Sequence, residues 1–290
     1  MKYLLVLFFS YISLLGLEVE LSNTTIANGK TAFLEFKKDK SLEFKKMLLE
    51  KKKYGIFQHP LDKEKLYALI PISYYEQPKE KKLEIKYKEK NKEKNKTIVL
   101  HIEDGKYKKE TLKVDSSRVN LNEEDKKRAS KEYQEAMNVY NHSTKKSYIS
   151  SKFINPLDSI ITSDFGKARV YNETLKGYHS GTDFRAKVGV PIKASNAGKV
   201  ALVKDRFYSG GSIIIDHGHG IYTCYFHMSK FNVKKGDMVT KEQIIGLSGD
   251  SGRVTGPHLH FSARVSGVQV DPLQLISLIN QNIFKGKSIK

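Results

Sequence analysis

Cysteine is almost missing from this chain. Of 290 residues only Cys224 is one, which excludes an internal disulfide. The strand pattern of Tyr222 to Phe226 turns Cys224 away from His227, as a small buried hydrophobe. With no cysteine just after the first apolar run, a lipoprotein is excluded as well. Acidic residues are also scarce, with 32 Asp+Glu against 51 Lys+Arg and a formal net charge of +19. Such an excess suits an anionic partner: nucleic acid, a membrane surface or an anionic polymer. The excess divides about evenly, roughly +10 before residue 150 and +9 after it. No stretch interleaves basic and aromatic residues as a nucleic-acid module would, so no nucleic-acid partner is expected. A membrane-length apolar run is lacking too. The run from Leu4 to Leu17 follows Met1-Lys2-Tyr3 and falls short of the ~20 residues of a transmembrane span. It reads as a secretory signal over residues 1–17. Leu14 before Gly16 makes a poor cleavage site, so an uncleaved anchor stays open.

What is present divides the chain in two. Between Leu17 and about Val114, apolar residues alternate with polar ones: Leu17, Val19, Leu21; Leu83, Ile85, Tyr87; Ile98, Leu100, Ile102. Period two predicts half-buried antiparallel strands, and their short spacing predicts a small β-sandwich over residues 18–117. The charged run Lys88 to Lys96 reads as a solvated hairpin loop. Asn122 is a helix N-cap, with Glu123, Glu124 and Asp125 in the first turn. The apolar stripe Ala129, Tyr133, Ala136, Met137 and Tyr140 predicts a packed helix ending near His142, within a connector over 118–150. Gly-punctuated strands follow over 151–280, then a basic tail over 281–290.

The chemistry sits in Thr255-Gly256-Pro257-His258-Leu259-His260-Phe261. A strand alternates its faces, so His258 and His260 point one way and Leu259 the other. Two imidazoles side by side cost desolvation unless they bind something, and zinc is the usual partner of neutral imidazole. Upstream, His179 and Asp183 share a face in extended structure. Tyr225-Phe226-His227 adds a further histidine on a strand. The glycine-rich loop Gly246 to Gly256 enters the H-x-H strand and is predicted to form one wall of a groove. His217 reads as a turn residue with a structural hydrogen bond, and His219 as exposed.

In order and spacing these elements resemble the LytM-type zinc peptidases, the M23 family of peptidoglycan endopeptidases. The likeness also takes in Ser163-Asp164-Phe165-Gly166, Gly181-Thr182-Asp183-Phe184, Gly189-Val190-Pro191-Ile192, Asp216-His217-Gly218 and Gly236-Asp237-Met238-Val239. It runs from about Phe153 to Pro272. It implies a mainly β chain: the sandwich, the connector helix and a C-terminal antiparallel-β peptidase domain. It implies Zn2+ held by His179, Asp183 and His260, with His227 and His258 as catalytic partners off the metal. His258 would be the base that orients water, and His227 would stabilise the tetrahedral intermediate. No H-E-x-x-H helix supplies a glutamate base, which fits the family. The implied substrate is the stem peptides of peptidoglycan, cut at the D-alanyl–diaminopimelate cross-link with trimming of terminal D-alanine. The alternatives are a glycine-bridge endopeptidase and a non-catalytic activator of other wall hydrolases. Export implies a periplasmic enzyme of wall remodelling and cell shape, free or tethered to the inner membrane, with autoinhibition by the N-terminal domain a further option.

Overall fold

The computed structural model describes residues 17–113, 121–173 and 175–285; the apolar segment read as a signal lies outside them, up to its last residue, Leu17. Two sheets face each other in the N-terminal part. One has the order Val19–Leu21, Thr31–Lys37, Lys65–Pro71, Phe57–Gln58; the other Thr25–Ala27, Lys92–Glu103, Lys79–Glu89, Leu42–Leu49, Lys52–Tyr54. Between them lie Leu34, Phe36, Met47, Ile70, Leu83, Ile85 and Leu100, all buried. Each such side chain contributes about 1.5–3 kcal/mol by leaving water. Leu83, Ile85 and Tyr87 are buried while Glu84, Lys86 and Lys88 are not, as period two predicts.

The charged run at Lys88 to Lys96 is not a loop. Lys79–Glu89 and Lys92–Glu103 pair along their whole length to a turn at Lys90-Asn91, where both residues have positive φ, 49° and 64°. That is the backbone of a two-residue hairpin turn, which asparagine tolerates well. Opposite charges face each other across the strands, Lys88 against Glu93 and Glu89 against Lys92. These pairs let a polar segment stay extended.

Helix α1, Glu123–Tyr140, starts where expected: the Asn122 side chain accepts from the Asp125 amide at 2.8 Å. Its buried stripe is rotated from the predicted one. Tyr133 is 55% exposed. Glu132 is buried instead, accepting from the Phe207 amide at 2.7 Å and from the Arg128 guanidinium at 2.8 Å. Ala136 and Tyr140 pack on Leu202, Ile214, Tyr222 and Cys224. The Cys224 thiol lies 3.2 Å from the Tyr140 hydroxyl, and burial pushes its pKa up to about 11. It faces α1 and not the histidines, as parity predicts.

The C-terminal part is built on one large antiparallel sheet. Its order is Ile161–Ser163, Thr182–Arg185, His258–Val265, Ile221–Phe231, Gly210–Asp216, Gly198–Arg206, Met238–Val239. Ile244–Ser248 also pairs with Ile221–Phe231. The central strands are buried on both faces; Ile213, Ile215, Tyr225, Leu259 and Phe261 are fully enclosed. One strand crosses over. Lys109–Leu112, counted from the sequence with the sandwich, pairs in parallel with Ala168–Tyr171. Helix α2, Pro272–Ile283, is capped by Asp271, which accepts from the Leu273 and Gln274 amides. The helix runs to Ile283, into the stretch read from the sequence as the basic tail over 281–290. Leu275, Ile276 and Ile279 join Phe33, Tyr67 and Leu69 of the sandwich to Val265 and Val270 of the large sheet.

Candidate metal centre

Strand pairing sets the site. Asp183 lies directly opposite His260, and Arg185 opposite His258, on neighbouring antiparallel strands. Side chains of directly opposed residues share a face, so Asp183, His258 and His260 all point to one side. Leu259 and Phe261 point into the core. His179 precedes the Thr182–Arg185 strand and is fixed by backbone hydrogen bonds to Gly166 and Lys167. Gly181 makes the approach possible. A Cβ there would sit 2.3 Å from the Phe261 carbonyl oxygen and 2.6 Å from His260 Nε2.

Three ligand atoms converge. His179 Nε2 is 2.9 Å from Asp183 Oδ1 and 3.0 Å from His260 Nδ1, and His260 Nδ1 is 2.8 Å from Asp183 Oδ1. His179 Nδ1 donates to the Asp164 carbonyl at 2.7 Å, which leaves Nε2 as the nitrogen that faces the carboxylate and is available to a metal. Acceptors this close call for a cation between them. Zinc held at 2.0–2.1 Å by nitrogen and oxygen would keep its ligands ~3.3 Å apart, close to the spacing seen. All three residues are buried. Burial drives the Asp183 carboxyl up, yet its contacts with His179 and His260 hold it well below the usual carboxylate range. Burial lowers the His260 imidazole to about 4. The set is one carboxylate and two imidazoles, a donor set that fits a catalytic metal with an open position.

His227 and His258 stand beside this cluster with ring centroids 4.8 Å apart. His258 Nδ1 donates to the Gly256 carbonyl and His227 Nδ1 to the Ser251 carbonyl, each at 2.8 Å. Nε2 is thus the nitrogen each ring leaves free of these bonds; His258 Nε2 is 3.6 Å from Asp183 Oδ1. Burial, then the neighbouring His258 and His260, keep the His227 pKa well below its ordinary value. His227 has a left-handed backbone, φ 63°, where the pairing with Gly210–Asp216 slips register. A bulge of this kind re-aims a side chain at the cost of local strain.

The cavity here measures about 310 Å³, and its rim includes Arg253 to Pro257, so the glycine-rich loop does form a wall. Arg169 lines this cavity and was not expected there from the sequence. Arg169 donates to Glu110 at 2.6 Å and to Ser163 at 3.2 Å, and reaches Asp183 Oδ2 at 3.4 Å. Among 51 Lys+Arg nothing local marks Arg169; its position one hairpin away from His179 is a product of pairing. His217 is structural as predicted, bonded to the Ala197 carbonyl and the Thr223 hydroxyl at 2.7 Å each. His219 is not exposed. It is 4% accessible, takes a hydrogen bond from the Tyr67 hydroxyl at 2.7 Å, donates to the Lys145 carbonyl at 2.8 Å and stacks on Phe57. The Gly218–Gly220 turn presses it against the sandwich, a neighbour that the local sequence does not reveal.

Comparison with known proteins agrees with this geometry. Residues 177–272 match the model of peptidase family M23. The peptidoglycan DD-endopeptidase ShyA of Vibrio cholerae is 42% identical over 122 residues, 41% of this chain and 28% of that protein. The DD-carboxypeptidase/endopeptidase Mpg of Neisseria meningitidis is 37% identical over 97 residues, 33% of this chain and 22% of that protein. The chain thus spans less than a third of the length of these curated relatives. A crystal structure of a putative peptidase M23 from Pseudomonas aeruginosa superposes with a TM-score of 0.66 at 25% identity, over 87% of this chain and 95% of that one. The match to peptidase family M23 thus lies across His179, Asp183, His227, His258 and His260.

Proposed function

We propose that the chain is a zinc-dependent peptidoglycan hydrolase that cuts peptide cross-links between stem peptides. The observation that carries this reading is the buried convergence of His179 Nε2, Asp183 Oδ1 and His260 Nδ1 beside two histidines that are not ligands. Zinc bound there supplies a water of lowered pKa and polarises the scissile carbonyl. His258, whose Nε2 lies 3.6 Å from Asp183 Oδ1, would orient the attacking water and take its proton. His227 enters with the same tautomer, so it stabilises a developing oxyanion only after gaining a proton on Nε2. The carbonyls of Ser251 and Gly256 hold the two rings in place. Retention of all five positions supports an enzyme over a non-catalytic activator.

The favoured bond is the D-alanyl–diaminopimelate cross-link, with trimming of terminal D-alanine; the names of ShyA and Mpg support this choice over a glycine bridge. The place of action is the periplasm, free or tethered to the inner membrane, where cross-links are accessible. Regulation by the N-terminal part is a second reading that one observation favours: Glu110 and Leu112 line the cavity, and Glu110 pairs with Arg169. Digestion of purified wall with the zinc-loaded chain tests the function. Loss of cross-linked dimers with gain of monomers is expected; an unchanged muropeptide profile refutes it. Fractionation that finds the protein in the cytoplasm refutes the assignment to the periplasm.

A further inference from the structure

The loop that clamps the two histidines also carries a guanidinium with no local task. Arg253 lies between Ser251, whose carbonyl holds His227, and Gly256, whose carbonyl holds His258. Its Cζ is 4.3 Å from the ring centroid of Tyr171 and 4.5 Å from that of Tyr208. Its backbone amide donates to the Tyr208 carbonyl at 2.8 Å. Both rings lie within cation–π distance of the guanidinium and hold it in place. Among the described residues no carboxylate pairs with it and none of its side-chain N–H groups has a partner. Arg169, the other arginine of this cavity, is by contrast tied to Glu110, Ser163 and Asp183. A pre-oriented fork of unused donors matches a carboxylate in two-point contact.

We infer that Arg253 receives a substrate carboxylate on the amine side of the scissile bond, and so decides which cross-link the site accepts. This rests on the hydrolase reading above. His258, which takes the water's proton and returns it to the leaving nitrogen, is held by Gly256 three residues from Arg253, so this wall faces the leaving group. The D-centre of diaminopimelate and a terminal D-alanine both carry an ionised carboxylate on the carbon next to that nitrogen. A glycine inside a bridge does not, because its carboxyl is an amide. One residue thus accounts for cleavage of both D-alanyl bonds and for rejection of glycine bridges.

The test uses the zinc-loaded full chain and two peptides with the same D-alanyl bond. One has a free carboxylate beside the scissile nitrogen and the other a carboxamide there. Charge-assisted hydrogen bonds of this kind are worth about tenfold to a hundredfold. Wild type is expected to favour the carboxylate in kcat/KM by that factor. Arg253→Met is expected to lose the preference, through a larger fall on the carboxylate than on the carboxamide and with zinc content unchanged, and Arg253→Lys to restore part of it. Equal rates on both peptides in wild type, or an equal fall on both in Arg253→Met, overturns the inference. If wild type cuts neither peptide, the hydrolase reading fails. Calorimetric binding of the two peptides then decides on Arg253: weaker binding of the carboxamide supports the role, and equal affinities overturn it.

Discussion

Gly181→Ala should damage the metal centre although no metal ligand is altered. The added Cβ would lie 2.3 Å from the Phe261 carbonyl oxygen and 2.6 Å from His260 Nε2. Neither neighbour yields cheaply. The carbonyl belongs to a strand paired on both sides, and the His260 ring is stacked on Phe226 with centroids 5.7 Å apart. Overpacking of a closed site costs about 1–3 kcal/mol. For a chain of this size that corresponds to a fall of roughly 2–10 °C in melting temperature. The ring must also turn, and a misplaced ligand lowers metal affinity by about 10–100-fold. Thermal melts and competition against a chelator measure the two effects. Gly177→Ala is the control, since its Cβ would meet only Tyr171, at 3.8 Å; it should stay within about 0.5 kcal/mol of wild type. Wild-type zinc affinity and a melting temperature within about 1 °C in Gly181→Ala would refute the claim that this glycine makes room for His260.

Other outcomes follow from the same geometry. His260→Ala should lose zinc, whereas His217→Ala should keep it, as metal analysis of the purified variants will tell; zinc retained in both would remove His260 from the ligand set. His227→Ala and His258→Ala should keep zinc but lose about a hundredfold or more in turnover, and near-normal rates in both would end their assigned roles. Acid should weaken the fold through His217, whose pKa burial lowers to about 4. The unfolded chain takes up a proton near pH 6.5 while the folded chain resists until about 4, so this group's contribution is complete above 6.5. It is lost as pH falls between those values, by up to ~3 kcal/mol. Urea unfolding at pH 7 and pH 4.5 should therefore differ less for His217→Gln than for wild type; equal differences would contradict the assignment.

Much of the site was legible because strand parity and spacing are local properties. His258, Leu259 and His260 alternate as their sequence requires, and Asp183 meets His260 across one strand pair. The sandwich was legible from period two for the same reason. What escaped depends on partners distant in sequence. Arg169 gains meaning only from Glu110, on a strand that leaves the sandwich to pair with Ala168–Tyr171. His219 looked like a turn residue facing water until the sandwich supplied Tyr67 and Phe57. Lys88 to Lys96 looked like a loop because charge was read along the chain, while its stabilising pairs run across two strands. Tyr133 lost its predicted place to Glu132 because a buried backbone amide, Phe207, needed an acceptor.

The central claim is that a metal held by His179, Asp183 and His260 powers cleavage of wall cross-links. The most direct measurement compares wall digestion by one preparation of the full chain before stripping, after stripping with a chelator, and after return of one equivalent of zinc. Cross-linked muropeptides should fall to monomers, stop falling, and fall again, with His260→Ala inert throughout. Digestion that continues undiminished without metal, or that His260→Ala still performs, would contradict it.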